Sequence, residues 1–371
     1  MGNWKNGELG DFVTLKRGFD LPQQKREDGQ VPIFSSTGIT GTHSTAMVKA
    51  PGVITGRYGT IGEVFYAAKD FWPLNTTLFV EDFHGNDAKF IYYFLKTLEW
   101  SKFTSASAVP GINRNTVHKE IVSLPDIETQ RRIASTLSMF DEKIKINTEI
   151  NDNLEQQAQS YFQELFVDNA DPEWTTGTIS DLGTVVGGST PSKAKPEYYT
   201  ESGIAWITPK DLSINKSKFV SHGENDITEL GLKNSSAVIM PEGTVLFSSR
   251  APIGYIAIAA GEVTTNQGFK SVVPKPEIGT PFVYFFLKNT LPVIEGMASG
   301  STFKEVSGST MKNVPAVIPD AETLAKFSDF CAAIFAQQRT LEEQNQSLAK
   351  LRDSLLPKLM SGEIDVSAVH L

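Results

Sequence analysis

The side chains of this 371-residue chain that could do chemistry fall in loops rich in glycine, serine and proline. Lys16 and Arg17 precede Gly18, Arg57 and Tyr58 lie in GRYGTIG at residues 56–62, and Arg114 stands between Asn113 and Asn115. Further along come Lys193, Lys195, Lys210, Arg250 in SSRAPIG at residues 248–254, Asn266, Gln267 and Lys304. Basic side chains presented on turns, with amides and aromatics alongside, can enter a groove and bridge base acceptors or phosphates. Solvated lysine in a loop is the commoner state, and an amide such as Asn266 or Gln267 can pair with adenine or tie down a turn.

Catalytic readings fare less well. GGSTPSK at residues 187–193 has the composition of a phosphate cradle, but Pro191 and Ser192 stand where a P-loop needs its closing glycine. DPEW at residues 171–174 brushes against the D-P-P-[YFW] tetrapeptide of N-methyltransferases. No F-x-G-x-G cofactor loop accompanies it, and it reads as a linker. Asp126 with Glu128, and Asp320 with Glu322, lack the E-x-K spacing of a nuclease metal site and are placed as helix caps and first-turn acids. His43, His84, His118, His222 and His370 show no metal-ligand spacing. The single cysteine, Cys331, excludes an intramolecular disulfide and reads as a buried helical thiol. No nucleophile elbow is present. The expectation is a non-catalytic chain without metal or cofactor of its own.

What positions the basic loops is a tandem duplication. Trp4, Gly7, Leu9, Asp11 and Phe12 form W-x-x-G-x-L-x-D-F, which recurs as Trp174, Gly177, Ile179, Asp181 and Leu182 at an offset of 170. SSRAPIG answers GRYGTIG, setting Arg57 opposite Arg250 at an offset of 193. FVYFFLKN at residues 282–289 answers FIYYFLKT at residues 90–97, and IPDAETLAKFSDFC at residues 318–331 answers LPDIETQRRIASTL at residues 124–137. The second copy therefore carries an insertion of about 23 residues between Gly183 and Arg250. Short apolar runs at residues 52–55, 62–67, 244–248 and 255–259 read as strands, and residues 90–98 and 282–291 as helices, so each globular region is α+β.

Each copy ends in a heptad seam. Ile133, Leu137, Phe140, Ile144, Asn147, Asn151, Leu154, Ala158, Tyr161 and Leu165 alternate steps of 4 and 3. Adding 194 yields Phe327, Cys331, Ile334, Gln338, Leu341, Asn345, Leu348, Arg352, Leu355 and Leu359. Two such helices, each about 60 Å long, are expected to pair as an antiparallel coiled coil, because two repeats joined by a domain return the chain with pseudo-twofold symmetry. Asn151 and Asn345 are expected near the crossing, with Asn147 and Leu341 close by, fixing register. The alternative is that each seam packs on its own globular region. The division is residues 1–124 and 169–319 as globular domains, 125–168 as the central helix, and 320–371 as the C-terminal helix and tail.

Hydrophobic residues at 40% and charged residues at 21% suffice for packed cores and exclude a disordered chain. No apolar run approaches a membrane span and the first residues lack a signal core, so a cytoplasmic protein is expected. The net charge of −9 argues at first against a polyanionic partner. Split by region it is +1 for residues 1–124, −5 for 125–168, −2 for 169–319 and −3 for 320–371, which concentrates the acidity in the helices.

The combination resembles the specificity (S) subunit of type I restriction–modification enzymes. It is carried by the W-x-x-G-x-[LI]-x-D starts, GGSTPS at 187–192, the R-x-x-x-I-G or R-x-P-I-G loop, TNQGF at 265–269, GSTFKEVS at 300–307, the [LI]-P-D-x-E-T helix starts and LMSGEI at 359–364. The resemblance implies two target-recognition domains reading double-stranded DNA and binding to two methyltransferase subunits, which restriction/translocase subunits then join. S-adenosylmethionine, ATP and Mg²⁺ would belong to those partners. The first half departs from the second, with FSSTG, LNTTL and AVPGINR in place of WITPKDL, TNQGF and GSTFKE, which implies different half-sites. The competing class is an interaction scaffold without DNA affinity.

Overall fold

The computed structural model describes residues 4–104, 111–300 and 304–366. Ser301, Thr302 and Phe303 of GSTFKEVS, residues 108–110 of AVPGINR, and His370 lie outside them. The chain forms two compact units, Met1–Ile144 with Gln346–Leu371, and Lys145–Asn345.

The first unit opens with β1 (Lys5–Glu8), the one-turn helix α1 (Leu9–Phe12) and β2 (Thr14–Arg17). β3 (Val31–Ser35), β4 (Gly38–His43), β5 (Gly52–Gly56), β6 (Val64–Ala67), β7 (Trp72–Pro73) and β8 (Thr77–Asp82) follow. Then come α2 (Ala88–Thr97), α3 (Arg114–Val117), β9 (Ile121–Leu124) and the start of the long helix α4 (Ile127–Gln163). The strands form sheets ordered β2-β8-β5-β6 and β4-β3-β7, while β1 pairs antiparallel with β9.

The second unit repeats this plan. Its elements are β10 (Thr175–Thr178), α5 (Ile179–Leu182), β11 (Gly183–Gly187), β12 (Tyr199–Thr200), β13 (Ile204–Ile207), α6 (Pro209–Ile214), β14 (Phe219–Val220), β15 (Asn225–Ile227) and α7 (Glu229–Lys233). After these come β16 (Val245–Ser249), β17 (Ile253–Ala259), β18 (Thr264–Thr265), β19 (Lys270–Pro274), α8 (Thr280–Met297), α9 (Gly308–Lys312), β20 (Pro315–Ile318) and α10 (Ala321–Met360). The sheet β11-β19-β16-β17-β14 is β2-β8-β5-β6 with an added edge strand, and β12-β15-β13-β18 is β4-β3-β7 with β12 added. The added β12, α6, β14 and α7 all fall between β11 and β16, where the shift in offset places the insertion. α8 runs longer than the expected 282–291, because Pro281 in its first turn is preorganised for helix and buried Ile294 holds the last turns past Pro292.

The W-x-x-G-x-[LI]-x-D start has a mechanical explanation. Asp11 accepts the Glu8 N–H at 3.0 Å and Asp181 accepts the Thr178 N–H at 2.8 Å, each capping the one-turn helix. A Cβ on Gly7 or Gly177 would lie 2.9 or 2.6 Å from that same carboxylate, so glycine leaves room for the cap. Asp126 and Asp320 cap α4 and α10 in the reciprocal sense, as N-cap residues accepting from the N–H groups of Thr129 and Thr323, both at 2.9 Å.

The seam positions are buried or half-buried along both helices. In the second unit the Asn147 amide donates to Asn345 Oδ1 at 2.9 Å and Gln338 donates to the Asn151 carbonyl at 3.1 Å; in the first, Arg352 meets Asp141 at 2.6 Å. Rising numbers on α4 thus meet falling numbers on α10, an antiparallel pair. The ends of the seams also enter the globular cores: Ile133, Leu137 and Leu359 join Phe90, Tyr93 and Leu124, whereas Ala158, Phe162, Phe327, Cys331 and Ile334 join Phe282, Phe285 and Val314. Both packings expected as alternatives coexist. Cys331 is fully buried, which pushes its thiol up to about 12.

Candidate nucleic-acid interface

In the first unit one cleft of about 600 Å³ gathers Lys16, Arg17, Arg57, Tyr58, Asn113, Arg114 and Asn115, lined also by Gly111 and Ile112. The elements that bring them together are β2, which carries Lys16 and Arg17, the turn after β5, and the start of α3. Two glycines make that turn possible, Gly59 at φ +76° and Gly62 at φ +90°. The Arg57 guanidinium lies 4.6 Å from the Tyr58 ring centroid, and its Nε donates to the Ile112 carbonyl at 3.4 Å. Lys16 pairs with Glu81 and Arg17 with Asp20 at 3.4 Å, both on the surface. Among the described residues Arg57 and Arg114 have no carboxylate partner, so their charge faces outward uncompensated. His118, just after α3, accepts the Leu15 N–H on Nε2 at 2.8 Å and so ties the strand of Lys16 and Arg17 to the helix of Arg114. Its burial, with Arg114 and His84 nearby, holds the imidazole below its ordinary value and keeps that nitrogen an acceptor.

In the second unit a cleft of about 620 Å³ is lined by Arg250, Ala251, Pro252, Ile253, Glu295, Lys304 and Glu305. Arg250 meets Glu305 at 3.3 Å, and Lys270 reaches the other carboxylate oxygen at 3.8 Å. Burial lowers the Lys270 ammonium, against the opposing pull of Glu305. Lys304 is exposed. Ala251 holds φ +54°, a conformation side-chain-bearing residues rarely adopt, at the tip of the Arg250 turn.

The remaining candidates do not line this cleft. Lys193 is exposed beyond β11, and Lys210 in the first turn of α6 pairs with Glu224 at 2.6 Å. Asn266 accepts the Gly268 N–H at 2.8 Å, and Gln267 accepts from the Thr190 hydroxyl, so both amide oxygens serve the turn. That turn in turn holds the end of β16, since Ser249 N–H donates to the Gly268 carbonyl at 2.7 Å. GGSTPS belongs to the same interlock: a Cβ on Gly188 would come 1.9 Å from the Asn266 carbonyl oxygen. Its glycine serves backbone approach, as does Gly18 against Leu74, where the distance would be 2.2 Å.

The repeat also corrects one expectation. Arg57 and Arg250 do not occupy equivalent positions. Arg57 N–H donates to the Thr76 carbonyl as Ser249 does to Gly268, and the Ile112 N–H donates to the Arg57 carbonyl as Val306 does to Ser249. Ser249 is therefore the counterpart of Arg57, and Arg250 the counterpart of Tyr58. A register irregularity between Phe247 and Ser249 in the β16–β17 pair accompanies this turn. Reading the loops by their basic residue alone shifts them by one position.

Sequence reasoning passed over Glu305, Lys270 and Glu295. Glu305 stood inside the quoted GSTFKEVS, but a search for cations does not select a carboxylate. Among the described residues no cluster of His, Cys, Asp and Glu could hold a metal ion, and no helix is long and apolar enough to cross a membrane.

Known proteins resemble this arrangement in sequence and fold. The family model described as type I restriction modification DNA specificity domain matches residues 1–156 and again 172–350. The type I restriction enzyme MjaIX specificity subunit of Methanocaldococcus jannaschii is 37% identical over 195 residues, 52% of this chain and 45% of that protein, so the match spans about half of that relative. The type I restriction enzyme HindI specificity subunit of Haemophilus influenzae is 24% identical over 347 residues, covering 72% and 75% of the two chains. The crystal structure of a type I restriction-modification system S subunit from M. genitalium shares the fold, with a TM-score of 0.64 over 96% of each chain at 19% identity.

Proposed function

We propose, from the premise that this chain belongs to the type I restriction–modification DNA specificity family, that it reads a bipartite, asymmetric duplex target and scaffolds two methyltransferase subunits. Residues 1–124 read one half-site and residues 169–319 the other, with a fixed number of unspecified bases between them. Restriction/translocase subunits join that complex, and S-adenosylmethionine, ATP and Mg²⁺ act on the partner subunits. The chain itself supplies recognition and no reacting group.

The observation that carries this reading is the first-unit cleft, where strand, turn and helix start converge Lys16, Arg17, Arg57, Tyr58 and Arg114 on one opening. An arginine fork can span two acceptors on guanine, and phosphate contacts fix register around it. The acidic helices suit protein partners better than phosphate, and the methyltransferase subunits can add phosphate contacts of their own.

The test is binding and methylation of a randomised duplex library, with and without co-expressed methyltransferase subunit. Arg57→Ala is expected to weaken binding by about 1–3 kcal/mol if the fork contacts a base, relaxing one position of one half-site. If it contacts phosphate, affinity falls evenly and the salt dependence flattens. Exchanging the second domain alters one half-site only. A folded, partner-bound chain that selects no duplex sequence would sink the proposal in favour of an interaction scaffold.

A further inference from the structure

We infer that Glu305 fixes the Arg250 guanidinium and thereby decides which base the second domain accepts, at the place where the first domain presents Tyr58. This rests on the DNA-reading function proposed above.

The repeat supplies the argument. In the first unit Tyr58 forms an isolated antiparallel bridge with Gly111, and its ring lies so close that a Cβ on Gly111 would come within 2.2 Å of it. The hydrogen bonds that align Arg57 with Ser249 and Ile112 with Val306 align Tyr58 with Arg250 and Gly111 with Glu305. One backbone position thus carries an aromatic ring over glycine in one copy and an arginine on a glutamate in the other. Both members of the pair change together in type: the ring needs a residue without a side chain opposite it, and the guanidinium gains an acceptor.

Electrostatics assign Glu305 its role. A carboxylate in a cleft that meets phosphates opposes binding through its charge. What it contributes is orientation, since Oε2 holds Arg250 Nη1 at 3.3 Å while Oε1 faces Lys270 at 3.8 Å. The other guanidinium N–H groups of Arg250 have no protein partner among the described residues, and they are the ones left for a base edge. An arginine without this buttress can swing to the nearest phosphate, which carries no sequence information. Glu305 is therefore a positioning residue, and Arg250 with Tyr58 marks where the two half-sites are read differently.

The experiment uses the full chain in complex with its methyltransferase subunits, the randomised duplex library, and a second, unrelated duplex as probe of non-specific binding. Glu305→Ala is expected to lower the preference at one base position of one half-site about tenfold, to leave the other half-site unchanged, and to raise binding to the unrelated duplex severalfold. Glu305→Gln, which keeps an acceptor for Nη1, retains the preference while still raising non-specific binding. The pair exchange Arg250→Tyr with Glu305→Gly shifts the same base position to a new preference. A folded Glu305→Ala complex with every base preference intact, or weakened equally at all positions, overturns the inference while leaving the DNA-reading proposal standing. A wild-type complex with no sequence preference removes both.

Discussion

Lys218 is 7% exposed, in the inserted part of the second unit, and its ammonium is held by Glu155 of α4 and by Gln338 of α10 at 2.7 Å. It also lies 4.1 Å from the Phe335 ring centroid and 4.7 Å from that of Tyr284. Lys218→Met keeps the length of the stem and its packing on the rings but removes the charge. Removing one partner of a buried pair costs about 3–5 kcal/mol. Here the lower end applies, because Glu155 keeps Lys288 at 2.5 Å and the Tyr284 hydroxyl at 3.2 Å. A loss of about 3 kcal/mol lowers the midpoint by about 6–12 °C in a unit of this size. Thermal and urea unfolding followed by circular dichroism reads this directly. Glu155→Gln alone is also destabilising, since it leaves two ammonium groups facing each other. The double variant Lys218→Met with Glu155→Gln is expected to cost less than the two singles summed by more than about 1 kcal/mol. A single-variant cost under about 1 kcal/mol, or additivity within about 0.5 kcal/mol, would refute the reasoning and assign the seating of the second globular region on the helices to apolar packing alone.

The same cluster carries a pH dependence. Desolvation pushes the Glu155 carboxyl up, but Lys218 and Lys288 together outweigh it and hold the group below its ordinary value of 4.5. Its contribution to stability is therefore present above about pH 4.5 and lost as pH falls through the lower folded value. Unfolding midpoints of wild type and Glu155→Gln should converge on acidification from pH 6 to pH 3; parallel curves would discard the assignment. For helix pairing, Asn147→Cys with Asn345→Cys should form a disulfide readily, whereas Ile133→Cys with Phe327→Cys should not, and the reverse pattern would demand a parallel pair. Among the described residues Asn147 Oδ1 is buried without a hydrogen-bond partner, so Asn147→Leu with Asn345→Leu should raise the unfolding midpoint at the expense of a defined register, visible as scrambled crosslinking of neighbouring cysteine pairs.

Much of this molecule is written in local spacing. The 4-3 rhythm from Ile133 to Leu165 and from Phe327 to Leu359 dictates two long helices, because a seam of that period stays on one face only in a helix. Asp126 and Asp320 declare where those helices start, since a cap acts on backbone groups three residues away. The paired glycine and aspartate of the W-x-x-G-x-[LI]-x-D starts, and the gain in offset between Gly183 and Arg250, likewise follow from residues close in sequence. Tertiary structure decided the rest. That Asn147 rather than Asn151 faces Asn345, and that Glu305 meets Arg250, depend on which segments lie side by side. A one-residue displacement leaves composition almost untouched but sends each side chain to the opposite face of a strand; for Arg57 the end-to-end match of residues 56–62 with 248–254 already points to Ser249, and the hydrogen-bond register fixes it. Lys218 is the extreme case: in the sequence KSKF it reads as one more solvated lysine, and its burial against Glu155 and Phe335 exists only because sheet and helices close over it.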